Sequence, residues 1–342
     1  MFRYMYRTTV KHLYLFPVFL LLISCRQPPT EPSFYFWETY YKIDSTEKQY
    51  LQQLHVKKLY VRFFDITIQN RRPTPTGIIR ISEKNETQEI IPVVFITNET
   101  FKALDKDDIH QLAVHIQNEI NYLYPIISDL PLQEVQFDCD WTTSTSQQYF
   151  YFLQTIQKLL PEKEISATIR LHQIKYRKQT GIPPVDKGVL MYYATDNPLT
   201  AGDNNSILEN KEAAKYIKGL ARYPMKLDVA LPIYSWAIIE NELGKKRLLN
   251  GIREEILSDT LLYRKTGKNT YIVRKEHYLQ QVLLYPDFRI KTESICTEDL
   301  ISAAKEIRKQ HKDTPYSTIY FQLNETNLKH YSIQNLNTIS NP

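Results

Sequence analysis

The sequence predicts an α/β fold: a TIM-like (β/α)8 barrel with a hairpin after strand 2 and a small inserted subdomain after strand 7. Three observations predict it. Eight short runs, often continuously apolar, recur along the chain, as parallel strands buried on both faces should. Helical patterns separate most of them. Gly is scarce at 8 residues, and neither GxGxxG nor GxxxxGK[ST] occurs, which argues against an open, doubly wound sheet with its glycine-rich first turn.

The elements follow in chain order. Residues 1–24 read as a signal peptide, with Arg3, Arg7 and Lys11 in a basic n-region and an apolar stretch from Leu13 to Ile23. That stretch is short for a membrane span. It ends in Leu22-Ile23-Ser24-Cys25, which resembles a bacterial lipobox. The resemblance implies cleavage before Cys25, a lipid on Cys25, and a membrane-anchored lipoprotein of the cell envelope. Arg26 follows Cys25, where an aspartate is associated with inner-membrane retention, so the outer membrane is preferred. Residues 25–32 form a Pro-rich tether and residues 33–335 the barrel.

The expected strands are Ser33–Trp37, Lys58–Phe64, Ile90–Ile96, Glu134–Cys139, Ile165–Arg170, Gly188–Tyr193, Leu227–Tyr234 and Ser317–Leu323. Helical faces are carried by Ile109, Leu112, Ala113, Ile116, Ile120 and Leu123, and by Tyr149, Phe152, Leu153, Ile156 and Leu160. Gly77–Ile81 and Glu89–Ile91 read as a β-hairpin that replaces or precedes a helix. A second hairpin, Thr260–Arg264 with Thr270–Arg274, belongs to a rim insertion spanning about residues 240–295.

Loss of the signal peptide removes three basic residues and no acids, taking the net charge from +5 to +2. A near-neutral chain gives no electrostatic case for nucleic acid. Cys139 and Cys296 remain, read as two buried free thiols or as a disulfide. No spacing of ligand residues points to a metal, and no cofactor motif is present.

In such a barrel, function sits where strands meet the following loops. Polar and aromatic side chains gather there: Trp37 and Glu38, Asp65, Asp138 and Asp140, Arg170 and His172, Tyr193 and Asp196, Tyr234 and Trp236, and Gln322, Asn324 and Glu325. All three tryptophans, Trp37, Trp141 and Trp236, fall at these ends. They suit stacking on sugar rings, and equally suit packing at the rim. Asp138 and Asp140 are two apart on a strand, so both should face the barrel interior while Cys139 faces the helices. Two close carboxylates raise one another's pKa, which suits proton transfer.

Phe137-Asp-Cys-Asp-Trp141 resembles the fourth strand of the chitinase-like barrels of glycoside hydrolase family 18, whose pattern ends D-x-D-x-E. Met191-Tyr-Tyr193 and Leu231-Pro-Ile-Tyr234 are similar to that family's sixth and seventh strands. The stretch from Phe34 to Asn197 more closely resembles the bacterial domain-of-unknown-function family 3142, with Phe36-Trp37, the Asp-x-Asp strand followed by threonines, and Ile165-Ser-Ala-Thr168. The resemblance implies a glycan partner. It also implies that the chitinase general acid, a glutamate, is replaced by Thr142, which has no useful acidity. Three readings stay open: a glycan-processing enzyme with Asp138 and Asp140 at its centre and Glu38, Asp65, Asp196 or Glu325 as a further acid; a non-catalytic glycan-binding lipoprotein; and a structural envelope lipoprotein.

Overall fold

The computed structural model describes residues 32–200, 202–311 and 315–341. The signal peptide, Cys25 and most of the tether lie outside the described residues. Eight parallel strands close into a barrel: β1 (Ser33–Phe36), β2 (Lys58–Gln69), β3 (Glu89–Ile96), β4 (Glu134–Asp138), β5 (Glu164–Arg170), β6 (Lys187–Met191), β7 (Lys226–Pro232) and β8 (Thr318–Phe321). Closure is made by β1, where Phe34 pairs with Leu59 of β2 on one side and Tyr320 of β8 on the other.

Alternation along β4 sets the two sides of the wall. Glu134, Gln136 and Asp138 point inward, while Val135, Phe137 and Cys139 meet the helices. At the base of the barrel, Lys187 Nζ lies 2.7 Å from Glu134 Oε2 and 3.4 Å from Asp228 Oδ2. One layer higher, Tyr35 donates to Gln136 Oε1 at 2.6 Å. The polar groups of the interior are paired, as buried polar atoms require, and they sit within an apolar and aromatic cluster that includes Tyr60, Val93, Val189 and Ile319.

Outside, the predicted helical faces form. The helix Lys106–Ile127 buries Ile109, Leu112, Ala113, Ile116, Ile120 and Leu123, and Asp105 caps it by accepting from Asp108 N at 2.9 Å. In the helix Ser146–Leu159, Phe152 packs edge-on against Phe137 with centroids 5.1 Å apart.

The hairpin after strand 2 is present, but its strands differ from those expected. β2 runs on to Gln69, turns through Asn70 and Arg71, and returns antiparallel as Arg72–Thr76. Asn70 and Arg71 both have positive φ, 50° and 63°, as a two-residue hairpin turn requires. Pro73 and Pro75 are tolerated because this is an edge strand. Arg80–Ile81 pairs instead, in parallel, with Tyr40–Tyr41. Among the described residues no helix separates β2 from β3.

The insertion starts directly after β7. Ser235–Glu240, Lys246–Asn250, Tyr263–Lys265, Thr270–Val273 and Arg289–Ser294 form a five-stranded antiparallel sheet with its own core around Tyr271, Val273, Leu284 and Ile290. The expected hairpin of Tyr263–Lys265 with Thr270–Val273 forms. The barrel is completed beyond residue 335, since the helix Ile333–Ser340 buries Leu336 and Ile339, and Tyr320 donates to Leu336 O at 2.7 Å.

Candidate functional site

Two neighbouring regions occupy the mouth. The first is an aromatic cleft of about 440 Å³, lined by Trp37, Tyr234, Trp236 and Phe321, with Gln322 and Asn324 along one edge and Asn250, Gly251 and Gln280 contributed by the insertion. Strand ends explain the lining: Trp37 follows β1, Tyr234 and Trp236 follow β7, and Phe321 ends β8. Phe321 packs 5.4 Å from Trp37 and 5.7 Å from Tyr234, and Tyr234 packs 5.3 Å from Trp236. The Phe321–Gln322 peptide is cis. The arrangement offers flat apolar faces beside neutral amides, which fits a sugar ring's apolar face and its hydroxyls. Among the described residues no carboxylate lines it.

The second region is acidic and lies on β4 and β5. Asp138 is buried, accepts from Thr168 Oγ1 at 2.6 Å, and has the Arg170 guanidinium 3.6 Å away. Burial pushes its carboxyl above the ordinary range, Arg170 opposes the shift, and Asp140 adds to it. Arg170 donates from Nε to Asp140. Burial works against the charge on Arg170, but Asp138 and Asp140 outweigh it and hold its pKa above the ordinary value. Tyr193 joins the two regions: its hydroxyl donates to Met191 Sδ at 3.4 Å, burial pushes its pKa up while the Arg170 charge opposes the push, and its ring meets Tyr234 and Phe321.

Several expectations need correction. Asp138 and Asp140 are not stacked together inside the barrel, because β4 ends at Asp138; the Asp140 side chain is 53% exposed beyond it. Trp141 offers no face to a ligand at the mouth. It is fully buried among the outer helices, stacked 5.3 Å from Tyr149, with its indole donating to Thr180 O at 2.9 Å. β4 has ended three residues earlier, and the chain beyond it turns Trp141 toward Tyr149 and Thr180. Both cysteines are free, but only Cys139 is buried; Cys296 is exposed ahead of the helix Thr297–His311.

The other predicted residues are spread around the rim. Glu38 accepts from Asn324 beside the cleft, and Asp65 is paired with Arg62, whose guanidinium sits 5.7 Å from the Trp37 ring centre. His172 is exposed on the short helix Leu171–Lys175. Asp196 is exposed on the loop after β6, bonded to its neighbour Asn197, and Glu325 is exposed at the start of Glu325–Leu328. Thr142 is exposed and hydrogen-bonded to Ser144 at 2.9 Å. The sequence reading missed Phe321, although an aromatic at a strand end is a readable signal. It also missed Asn250, Gln280 and Glu293, whose places depend on how the insertion folds back.

The architecture defines the class of protein: a closed (β/α)8 barrel with an antiparallel β rim insertion after its seventh strand. Solved barrels of other proteins share this fold. The chain is similar to the spore cortex-lytic enzyme SleL of Bacillus cereus (TM-score 0.55, 12% identity, covering 91% of this chain and 74% of that one). It is similar to the C-terminal domain of a chitinase from Desulfitobacterium hafniense, described as putative (0.54, 9%, 92% and 99%). It is also similar to a chitinase from Bacteroides thetaiotaomicron (0.53, 11%, 91% and 96%). No protein-family model matches the chain, and no curated protein sequence matches it.

Proposed function

We propose that this chain is a lipid-anchored envelope protein that binds a glycan in the aromatic cleft without hydrolysing it. The observation that carries the reading is the separation of aromatics from acids. Trp37, Tyr234, Trp236 and Phe321 line a cleft that no carboxylate enters, while Arg170 engages both Asp138 and Asp140. Thr142, standing where the resembling family has its glutamate, supplies no proton. The similar solved structures are named as chitinases and a cortex-lytic enzyme, which supports a glycan as the ligand. The lipobox-like Leu22–Cys25 supports anchoring through Cys25, with the outer membrane preferred.

A second reading, hydrolysis, is favoured by the raised pKa of Asp138 beside a half-exposed Asp140. One experiment separates them. The chain is titrated with uncharged oligosaccharides by calorimetry, and the same mixtures are assayed for new reducing ends. Saturable binding without cleavage supports the proposal. Cleavage that disappears in Asp140→Asn establishes the second reading, and neither binding nor cleavage refutes both.

A further inference from the structure

Trp236, one of the two tryptophans of the cleft, is held by a residue that does not line it. Trp236 and Glu293 are directly opposed in the antiparallel pairing of Ser235–Glu240 with Arg289–Ser294. The Glu293 side chain is fully buried. Its Oε2 accepts from the Trp236 indole Nε1 at 2.8 Å and from both the backbone N and the hydroxyl of Ser206, while Oε1 takes Lys291 Nζ at 2.6 Å. Lys291 also donates to the carbonyls of Gly202 and Asn204. One carboxylate therefore ties together the insertion, the loop after β6 and the indole N–H of Trp236.

We propose that Glu293 is a positioning residue: it fixes the indole of Trp236 and clamps the insertion to the loop after β6, so that the cleft is preformed before ligand arrives. The inference rests on the glycan-binding reading for its consequence, not for its geometry. A preformed aromatic platform binds more tightly because little ordering remains to be done on association. A leucine at position 293 leaves the indole N–H and the Ser206 donors without this acceptor, and the Lys291 ammonium with the Gly202 and Asn204 carbonyls alone. A glutamine keeps a carbonyl oxygen for the indole and Ser206, but turns its amide NH2, a donor, toward Lys291, which keeps the Gly202 and Asn204 carbonyls.

The test follows the three indole N–H resonances of ¹⁵N-labelled protein, with the Trp236 signal assigned by its loss in Trp236→Phe. Glu293→Gln is expected to leave all three close to wild type. Glu293→Leu is expected to move the Trp236 signal and speed its solvent exchange while Trp37 and Trp141 stay in place, showing an intact barrel. Glycan affinity should then fall about tenfold in Glu293→Leu and less than threefold in Glu293→Gln, the scale of one lost charge-assisted hydrogen bond. An unmoved Trp236 signal, or unchanged affinity, in a folded Glu293→Leu protein overturns the positioning role. If Glu293→Leu does not fold, Glu293→Gln combined with Lys291→Met decides, with equal signals and affinity again counting against it. Failure of the wild-type protein to bind any glycan refutes the ligand reading instead, leaving the resonance test of the clamp to stand or fall alone.

Discussion

Arg170 lies 3.6 Å from Asp138 while its Nε donates to Asp140, so one guanidinium serves both the acid that ends the fourth strand and the acid just beyond it. Removing a partner from a largely buried pair leaves an uncompensated charge behind. Arg170→Met should therefore destabilise the protein by about 3 kcal/mol at pH 7, measured by urea unfolding. The cost should shrink toward pH 4, because a protonated Asp138 no longer needs the cation.

Asp138 itself sets a pH dependence. Its folded-state pKa is raised above the ordinary 3.8 by burial. The folded protein therefore holds this proton more tightly than the unfolded chain. The stability contributed by the group is complete below pH 3.8 and is lost as pH rises through the folded value. Asp138→Asn, which keeps an acceptor for Thr168, should show a flatter stability profile than wild type above that point. Parallel profiles for the two proteins would mean the carboxyl is not perturbed.

Glu47 offers a sharper case. It lies in the first turn of the helix Ser45–Gln53, accepts from Asp44 N at 2.9 Å in a capping box, and is buried. Burial pushes its carboxyl up to about 7, with Asp44, Glu38 and Glu325 adding to the shift and the Asp44 backbone bond opposing it. The shift is upward, so its stabilising contribution is present below 4.5 and lost as pH rises through about 7. Glu47→Gln keeps the cap and cannot ionise. It should gain on the order of 2 kcal/mol over wild type at pH 8 and nothing at pH 4. Chemical denaturation at the two pH values checks this.

The three tryptophans should divide cleanly. Trp37→Ala and Trp236→Ala should each weaken glycan binding about tenfold while the fold persists, since both line the cleft. Trp141→Ala should instead cost about 3–5 kcal/mol of stability, the usual price of a large core truncation. At temperatures where it stays folded, its glycan affinity should match wild type. A Trp141→Ala protein of normal stability would contradict its place against Tyr149.

Anchoring is tested at Cys25. Cys25→Ser should shift the protein from the membrane fraction to the soluble envelope fraction and abolish the mass of an attached lipid on the mature N-terminus. Membrane retention of an unlipidated Cys25→Ser chain would show that another segment holds it.

Much of the architecture is legible in the sequence because its signals are local. Two-residue alternation turned Asp138 inward and Cys139 outward, and helical spacing marked the buried face from Ile109 to Leu123. That alternation stops with β4 at Asp138, so it fixes neither the exposure of Asp140 nor the burial of Trp141 among the helices. The hairpin was misplaced because Gly77–Ile81 looks more like a strand than Arg72–Thr76 with its two prolines. Edge position, invisible in the chain, is what admits them.

The sequence by itself determined a (β/α)8 barrel, the strand ends that carry its aromatic and acidic side chains, and the absence of a glutamate at Thr142. Only the tertiary structure decided which of those groups work together. Arg170 meets Asp138 and Asp140 across two neighbouring strands, and Glu293 meets Trp236 from 57 residues away. Such meetings depend on strand register and on where an insertion folds back. Neither is written in any local pattern, because both are set by the packing of segments distant in the chain.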